Sequence, residues 1–241
     1  ISTGILEFFR TIGIPLVEVY GQTESTGVAT AQPVDDVRLG TVGVAVSGVE
    51  VKLGEHNEII MRGGSMFKGY YKNDEATAST LKDGWLHTGD VGEWRDGQLK
   101  IVDRLKDIMI TAGGKNLSPT EIENTIKASP YIKECIVIGE ARKYVSALIQ
   151  IDFDTVAKWA EQERIAYTTF RSLTEQPQVN ELIQAEVNKG NEQLPQVAQI
   201  KRFHLLTKEL DHDDDEVTAT MKVRRSNIYD KYTEVIESLY A

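Results

Sequence analysis

Three short clusters of residues could do chemistry on a phosphorylated ligand. The first, Tyr20-Gly21-Gln22-Thr23-Glu24, follows an apolar run from Ile14 to Val19. A strand that ends at a ligand has this composition: apolar residues carry it through a core, and small or polar residues occupy its tip. A tyrosine ring stacks on a nucleobase, and a glycine lets a ligand come close to the backbone. A threonine hydroxyl reaches a phosphate oxygen, and a carboxylate holds Mg²⁺ beside phosphates. A polar turn closing a strand would account for the same residues.

The second cluster is Gly84-Trp85-Leu86-His87-Thr88-Gly89-Asp90. An aspartate at the end of such a loop can accept both hydroxyls of a ribose; the plain alternative is a glycine-bracketed turn with a solvated Asp90. His87 has no second ligand-like residue near it and reads as structural. The third cluster is Asp103-Arg104-Leu105-Lys106-Asp107-Ile108, followed by Thr111-Ala112-Gly113-Gly114-Lys115-Asn116. Arg104 suits phosphate or ribose oxygens, and the paired glycines would let something thin pass against the backbone. A charged interdomain linker with a turn is the plain alternative.

The elements that must position these clusters fall into two textures. Residues 1–13 read as an amphipathic helix ended by Gly13, and Ile14 to Tyr20 as a strand. From about Arg38 to Lys100, short alternating runs such as Val49 to Leu53, Glu58 to Met61, Gly92 to Trp94 and Gln98 to Val102 predict a small, distorted β-barrel or β-sandwich. Gly54 to Asn57 and Arg95-Asp96-Gly97 supply its turns, and Asn73 caps a short helix to Leu81. Beyond Arg104 helices dominate. Ser118-Pro119-Thr120-Glu121 opens one to about Ala128. Others are expected at Asp154 to Glu163, Pro177 to Glu192 and Ser226 to Leu239. Strands are expected at Ile132 to Gly139, Tyr144 to Ile151 and Ile200 to Leu206. The fold class is α+β, with a boundary at Arg104 to Asp107. The acidic run Asp211 to Glu216 reads as a solvated loop.

Composition narrows the function. The 241 residues are 41% hydrophobic and 27% charged, with a net charge of -10. That balance argues against a nucleic-acid partner, which would call for a basic face. The single cysteine, Cys135, forms no intrachain disulfide. It lies in an apolar run and reads as a packed core thiol in a reducing, cytoplasmic setting. No stretch approaches the ~20 apolar residues of a membrane span, which leaves only peripheral membrane contact open. The chain opens on Ile1, directly in a helical pattern, as a piece cut from a longer protein would.

Taken together and in order, the clusters resemble the adenylate-forming superfamily of acyl-CoA synthetases, peptide-synthetase adenylation domains and luciferases. The resemblance runs through Tyr20 to Glu24, Lys68-Gly69-Tyr70-Tyr71, Gly84 to Asp90, Gly97, Asp103 to Asp107, Gly113-Gly114 and Glu121-Ile122-Glu123. The tail Thr218-Ala219-Thr220-Met221-Lys222-Val223-Arg224-Arg225 resembles the long-chain fatty acyl-CoA synthetase branch. The superfamily's Ser/Thr/Gly-rich phosphate loop and its adenine segment do not occur in these residues. Lys222 follows Met221 where many relatives have glycine.

The resemblance implies the end of a large AMP-binding domain at residues 1–105, with a β-barrel-like subdomain. A small mobile α+β domain would follow at 106–241, hinged at Lys106. It implies an ATP-dependent fatty acid-CoA ligase that makes acyl-adenylate and then acyl-CoA, with fatty acid, ATP and CoA as substrates and Mg²⁺ as metal. Tyr20, Gly21, Thr23, Asp90 and Arg104 would bind nucleotide, with Tyr20 stacked on adenine. Glu24 would hold Mg²⁺, Lys222 would be catalytic, and Gly113 and Gly114 would line a CoA channel. The isolated chain, lacking the phosphate loop, is expected to be inactive. An adenylation domain loading a carrier protein and a non-catalytic module of the same fold are the alternatives.

Overall fold

The computed structural model describes residues 3–219 and 221–241 and divides into two compact units, Ile1–Ile108 and Met109–Ala241. Ile1, Ser2 and Thr220, which the expected first helix and the lysine-bearing tail include, lie outside the described residues.

The first unit opens with helix α1 (Thr3–Thr11), which buries Leu6 and leaves Ile5 and Phe8 exposed. Strands β1 (Val19–Tyr20), β2 (Thr30–Ala31) and β3 (Val44–Ala45) form a small antiparallel sheet in that order. The strand expected from Ile14 is therefore cut to two residues. Its partner β2 offers only Thr30 and Ala31 for pairing, so the ladder stops there, and Ile14, Val17 and Val19 remain exposed.

Next come β4 (Val49–Leu53), β5 (Glu58–Gly63), α2 (Asp74–Thr80), β6 (Leu81–Lys82), β7 (Trp85–Arg95) and β8 (Gln98–Arg104). Asn73 caps α2 by accepting from the Ala76 amide at 3.0 Å. The barrel-like part takes the form of a branched antiparallel sheet, ordered β4-β5-β7-β6, with β8 paired to β7. The branch exists because β7 is 11 residues long. Its early residues meet β5 and β6, and its later ones meet β8. Asp96 and Gly97, both at positive φ, make the two-residue turn between β7 and β8, a geometry that matches strand twist. Tyr20, Ala29, Ile59, Met61, Leu86 and Leu99 form the core.

The second unit begins with a hairpin of β9 (Met109–Ile110) and β10 (Asn116–Leu117), then α3 (Pro119–Ile126), whose first turn is capped by Ser118. Strands β11 (Ile132–Ile138) and β12 (Val145–Ile151) are antiparallel. Helices α4 (Phe153–Gln162), α5 (Phe170–Thr174) and α6 (Pro177–Asn191) form the crossover to β13 (Ile200–Leu205), which is parallel to β12. The sheet order is β11-β12-β13. All seven residues of β12 are buried: Val145, Ala147, Ile149 and Ile151 join one apolar cluster and Leu148 the other. A strand covered on both faces is apolar along most of its length, and Ser146 and Gln150 are the buried exceptions here.

The single helix expected at Ser226 to Leu239 is two, α7 (Arg225–Lys231) and α8 (Thr233–Ser238). They meet at Tyr232 (φ -105, ψ 20), whose phenol donates to Glu216 at 3.0 Å. Helix α5 was not expected; it is one capped turn, and Thr169 accepts from the Ser172 amide at 3.1 Å. Among the described residues no helix is long and apolar enough to cross a membrane.

Ile149 is fully buried at the centre of the β11-β12-β13 sheet. Ile149→Ala is expected to destabilise the second unit by about 2–5 kcal/mol. Hydrogen exchange should accelerate across β11 to β13 and stay unchanged in β7 and β8.

Candidate functional site

Asp90 lies within strand β7, not at the end of a loop as the sequence suggested. Along β5, Glu58 pairs with Val91 and Ile60 with His87, so one intervening residue on β5 faces three on β7. Thr88, Gly89 and Asp90 form the resulting bulge, a device that re-aims side chains next to sites. The bulge is held down at several points. The Gly89 amide donates to Glu58 Oε1 at 2.9 Å, and Glu58 Oε2 meets His87 Nδ1 at 2.7 Å. The Thr88 hydroxyl donates to the Ile59 carbonyl and accepts from the Asp90 amide. His87, expected to be structural for want of a nearby partner, thus has one in Glu58, and both line the cavity described below.

The Asp90 carboxylate is buried and heavily bonded. Oδ2 accepts from the Tyr20 hydroxyl at 2.5 Å and from Gln22 Nε2 at 2.8 Å. Oδ1 faces Arg104 Nε at 2.9 Å, because β8 pairs Arg104 directly with Asp90. The two oxygens of a carboxylate offer about four acceptor positions, so one further hydroxyl can be taken without loss. A second requires Arg104 to turn away, and its side chain is 54% exposed. The Tyr20 ring, expected to stack on a base, is itself packed in the core. Burial first, and then the bond to Asp90, push its phenol well above the usual range.

Residues 21–27 form a tight loop. Gly21 is required there: a Cβ at this position would lie 1.5 Å from the Gly27 carbonyl oxygen. Glu24 is half-buried, and its Oε1 accepts from the Tyr70 hydroxyl at 2.7 Å. That bond raises the Tyr70 phenol above its ordinary value. Tyr70 is held in turn by Thr77, whose hydroxyl oxygen accepts from the Tyr70 amide, and by an edge-on contact with Phe67. Gly21, Gln22, Thr23, Glu24, Tyr70 and Arg104 all line one open cavity, with Asp90 directly behind Gln22 and Arg104.

Lys106 is exposed in the turn after β8, where the amides of Asp107 and Ile108 donate to the Arg104 carbonyl. The remaining expected residues belong to the second unit. Gly113 and Gly114 are the exposed tip of the β9-β10 hairpin. Gly114 has φ +71, so its backbone alone explains the residue; Gly113 has no such constraint, and a side chain there meets only open space and Thr111. Lys222 is exposed on a short hairpin. Its amide donates to Thr218 Oγ1 at 3.0 Å, its carbonyl accepts from the Thr218 amide at 2.8 Å, and Val217 bridges Val223.

In the acidic run before that hairpin, residues 211–215 are exposed, as the sequence suggested, but the last residue is not. Glu216 is fully buried, 2.9 Å from both Lys208 and Lys231. Burial opposes its ionisation, but donation from Lys231, Lys208 and the Asp211 amide outweighs this and holds the carboxyl below its ordinary 4.5. Asp214 is lowered by the same two lysines. Sequence reasoning also gave no role to Gln22, Glu58 or Tyr70. Gln22 and Tyr70 stood inside motifs already singled out, whereas Glu58 carried no local signal because its partners are 29 and 31 residues away.

Two outcomes follow from these geometries. Tyr20→Phe keeps the ring but removes a donor from a buried carboxylate, and should destabilise the first unit by about 1.5–3 kcal/mol. Urea unfolding in a Trp159→Phe background reports this, since Trp85 and Trp94 both lie in that unit. Glu216 is lowered in the folded state, so its stabilisation is present above the ordinary carboxylate value and lost as pH falls below it. The melting temperature of the second unit should therefore drop on acidification. Glu216→Gln should lower it at neutral pH and make that acid limb shallower; an unchanged slope would show that Glu216 is not linked to folding.

Residues 106–241 match the AMP-binding enzyme C-terminal domain, and residues 1–71 match the AMP-binding enzyme domain. The chain is 44% identical over 239 residues to the putative fatty-acid-CoA ligase fadD11 of Mycobacterium tuberculosis, covering 98% of this chain and 42% of that protein. It is 34% identical over 235 residues to the long-chain-fatty-acid-CoA ligase FadD15 of Mycobacterium bovis, covering 97% and 39%. The chain thus spans about two fifths of the length of these relatives. Its fold is shared with the adenylation domain of a carboxylate reductase from Mycobacterium chelonae, at a TM-score of 0.76 and 22% identity over 100% of this chain and 37% of that one. It is shared too with o-succinylbenzoate coenzyme A synthetase of Bacillus subtilis in complex with ATP and magnesium ion, at 0.70 and 22% identity over 94% and 44%. On the family matches, which together include both the 21–24 loop and Lys222, the chain belongs to the AMP-binding enzymes.

Proposed function

We propose that the chain is the C-terminal part of an ATP-dependent fatty acid-CoA ligase of the long-chain class. The observation that carries this reading is the grouping of Thr23, Glu24 and Arg104 on one cavity, with Asp90 behind them. Hydroxyl, carboxylate, guanidinium and a buried ribose acceptor are the groups a nucleoside triphosphate needs. The relatedness of the whole chain to fatty-acid-CoA ligases supplies the substrate class.

In the first half-reaction a fatty carboxylate oxygen attacks the α-phosphorus of ATP, and the bond to pyrophosphate breaks. Negative charge gathers at that centre, so positioned cations dominate the rate. Lys222 supplies a compact ammonium to the carboxylate and phosphate oxygens. Thr23 donates to phosphate, Gly21 lets the nucleotide approach the backbone, and Asp90 accepts the ribose hydroxyls as Arg104 turns toward the phosphates. Tyr20 keeps Asp90 oriented. Among the described residues no cluster of three His, Cys, Asp or Glu ligands forms. A lone half-buried carboxylate, Glu24, suits Mg²⁺, which takes one or two carboxylates and fills its shell with phosphate and water. Bound there, Mg²⁺ would neutralise phosphate charge. In the second half-reaction the CoA sulfur attacks the acyl carbon, the thiol proton is lost, and AMP leaves. Lys106 is the hinge about which the second domain reorients between the steps, and Gly113 and Gly114 border the pantetheine path.

The full-length protein given palmitate, ATP, Mg²⁺ and CoA is expected to yield palmitoyl-CoA and AMP in equal amounts. Transfer to a carrier protein and not to CoA would replace the ligase reading with an adenylation domain. Lys222→Ala should cut pyrophosphate exchange about a hundredfold or more, while palmitoyl-adenylate supplied ready-made is still converted by CoA.

A further inference from the structure

Arg225 begins helix α7, three residues beyond Lys222. Its guanidinium reaches back to Glu123 on α3, with Nη1 at 2.8 Å from Oε1 and Nη2 at 3.1 Å from Oε2. Two parallel bonds of this kind fix direction as well as distance. The pair also closes over the sheet edge. Strand β11 has a neighbour on one side only, so its outward backbone groups need other partners. The Val137 amide donates to Glu123 Oε1 at 2.9 Å, and the Val137 carbonyl accepts from Arg225 Nη1 at 3.2 Å. Tyr229, one turn along α7, donates to the same carbonyl at 3.0 Å.

The hairpin between these anchors carries Lys222 at its exposed end. One foot enters the knot of Glu216 with Lys208 and Lys231, and the other foot is Arg225. Between them, the Arg224 amide donates to the Glu216 carbonyl at 2.8 Å. A lysine side chain is long and flexible, so its ammonium is placed only as well as the backbone beneath it. Groups that act on a transition state need that placement to within about 0.5 Å.

We propose that Arg225, clamped by Glu123, is a positioning residue for Lys222. The ion pair sets the height and angle of the hairpin above the sheet edge, and through it the reach of the Lys222 ammonium. This rests on the reading of Lys222 given above, in which Lys222 serves the first half-reaction and not the second. A pair that merely held the domain together would affect both half-reactions alike, since both draw on residues of the second unit.

The test measures pyrophosphate exchange and the conversion of supplied palmitoyl-adenylate by CoA, on the full-length protein. Arg225→Lys keeps the charge but loses the fork. Glu123→Gln keeps the shape but loses the charge, and serves if Arg225→Lys does not fold. Lys222→Ala is the reference. Exchange is expected to fall about tenfold to a hundredfold, the scale of an ångström's misplacement, with conversion of the adenylate unchanged. A parallel fall in both half-reactions would reduce the pair to structural support and overturn the proposal. So would normal exchange in both pair variants when Lys222→Ala abolishes it. Exchange that survives Lys222→Ala would instead overturn the reading of Lys222 itself, and the proposal with it.

Discussion

The first unit is organised around one buried carboxylate. Asp90 lies inside a sheet, where an ionised group is tolerated only when donors meet it. The three donors come from separate segments: Tyr20 from the tip of β1, Gln22 from the loop beyond it, and Arg104 from β8. Those segments span 85 residues of sequence, and satisfying one side chain draws them together. The bulge in β7, the Glu58 bonds that flatten it and the register of β8 all serve that end. Remove the carboxylate, and the loop bearing Thr23 and Glu24 loses one of its ties to the sheet, while Gln22 Nε2 keeps its bond to the Thr88 carbonyl.

The second unit repeats this physics at a different place. Glu216 and Glu123 are both buried, and each is met by cations and a backbone amide. A buried pair of this sort adds little net stability, but breaking one partner is costly. Its benefit is geometric. The two carboxylates flank an exposed hairpin that has almost no core of its own, and they give it a defined origin. For Glu123, burial raises the carboxyl despite Arg225, while the same contact holds the guanidinium firmly protonated.

Much of this was legible in the sequence. Period-two runs and turn residues marked β4, β5 and β8, and the caps at Asn73 and Ser118 marked α2 and α3 to within two residues. What failed did so for tertiary reasons. The apolar run from Ile14 promised a long strand, yet strand length is set by the partner, and β2 is two residues long. The Gly84 to Asp90 cluster looked like a loop because of its glycines. Gly89 in fact permits a bulge within a continuous strand. Glu216 looked solvated with the rest of its acidic run because local composition says nothing of Lys208 and Lys231, which meet it in the fold. The candidate residues that line the cavity were visible as types in order, while the contacts that hold them, Tyr70 on Glu24 and Gln22 on Asp90, were not.

The lone thiol has a practical side. Cys135 is buried in β11 with its ionisation suppressed, first by burial and then by Glu123 and Glu134, and only a thiolate reacts readily. The folded chain is therefore silent toward thiol reagents. Within these 241 residues, a cysteine introduced at an exposed position in each unit would carry a spectroscopic label for which Cys135 does not compete.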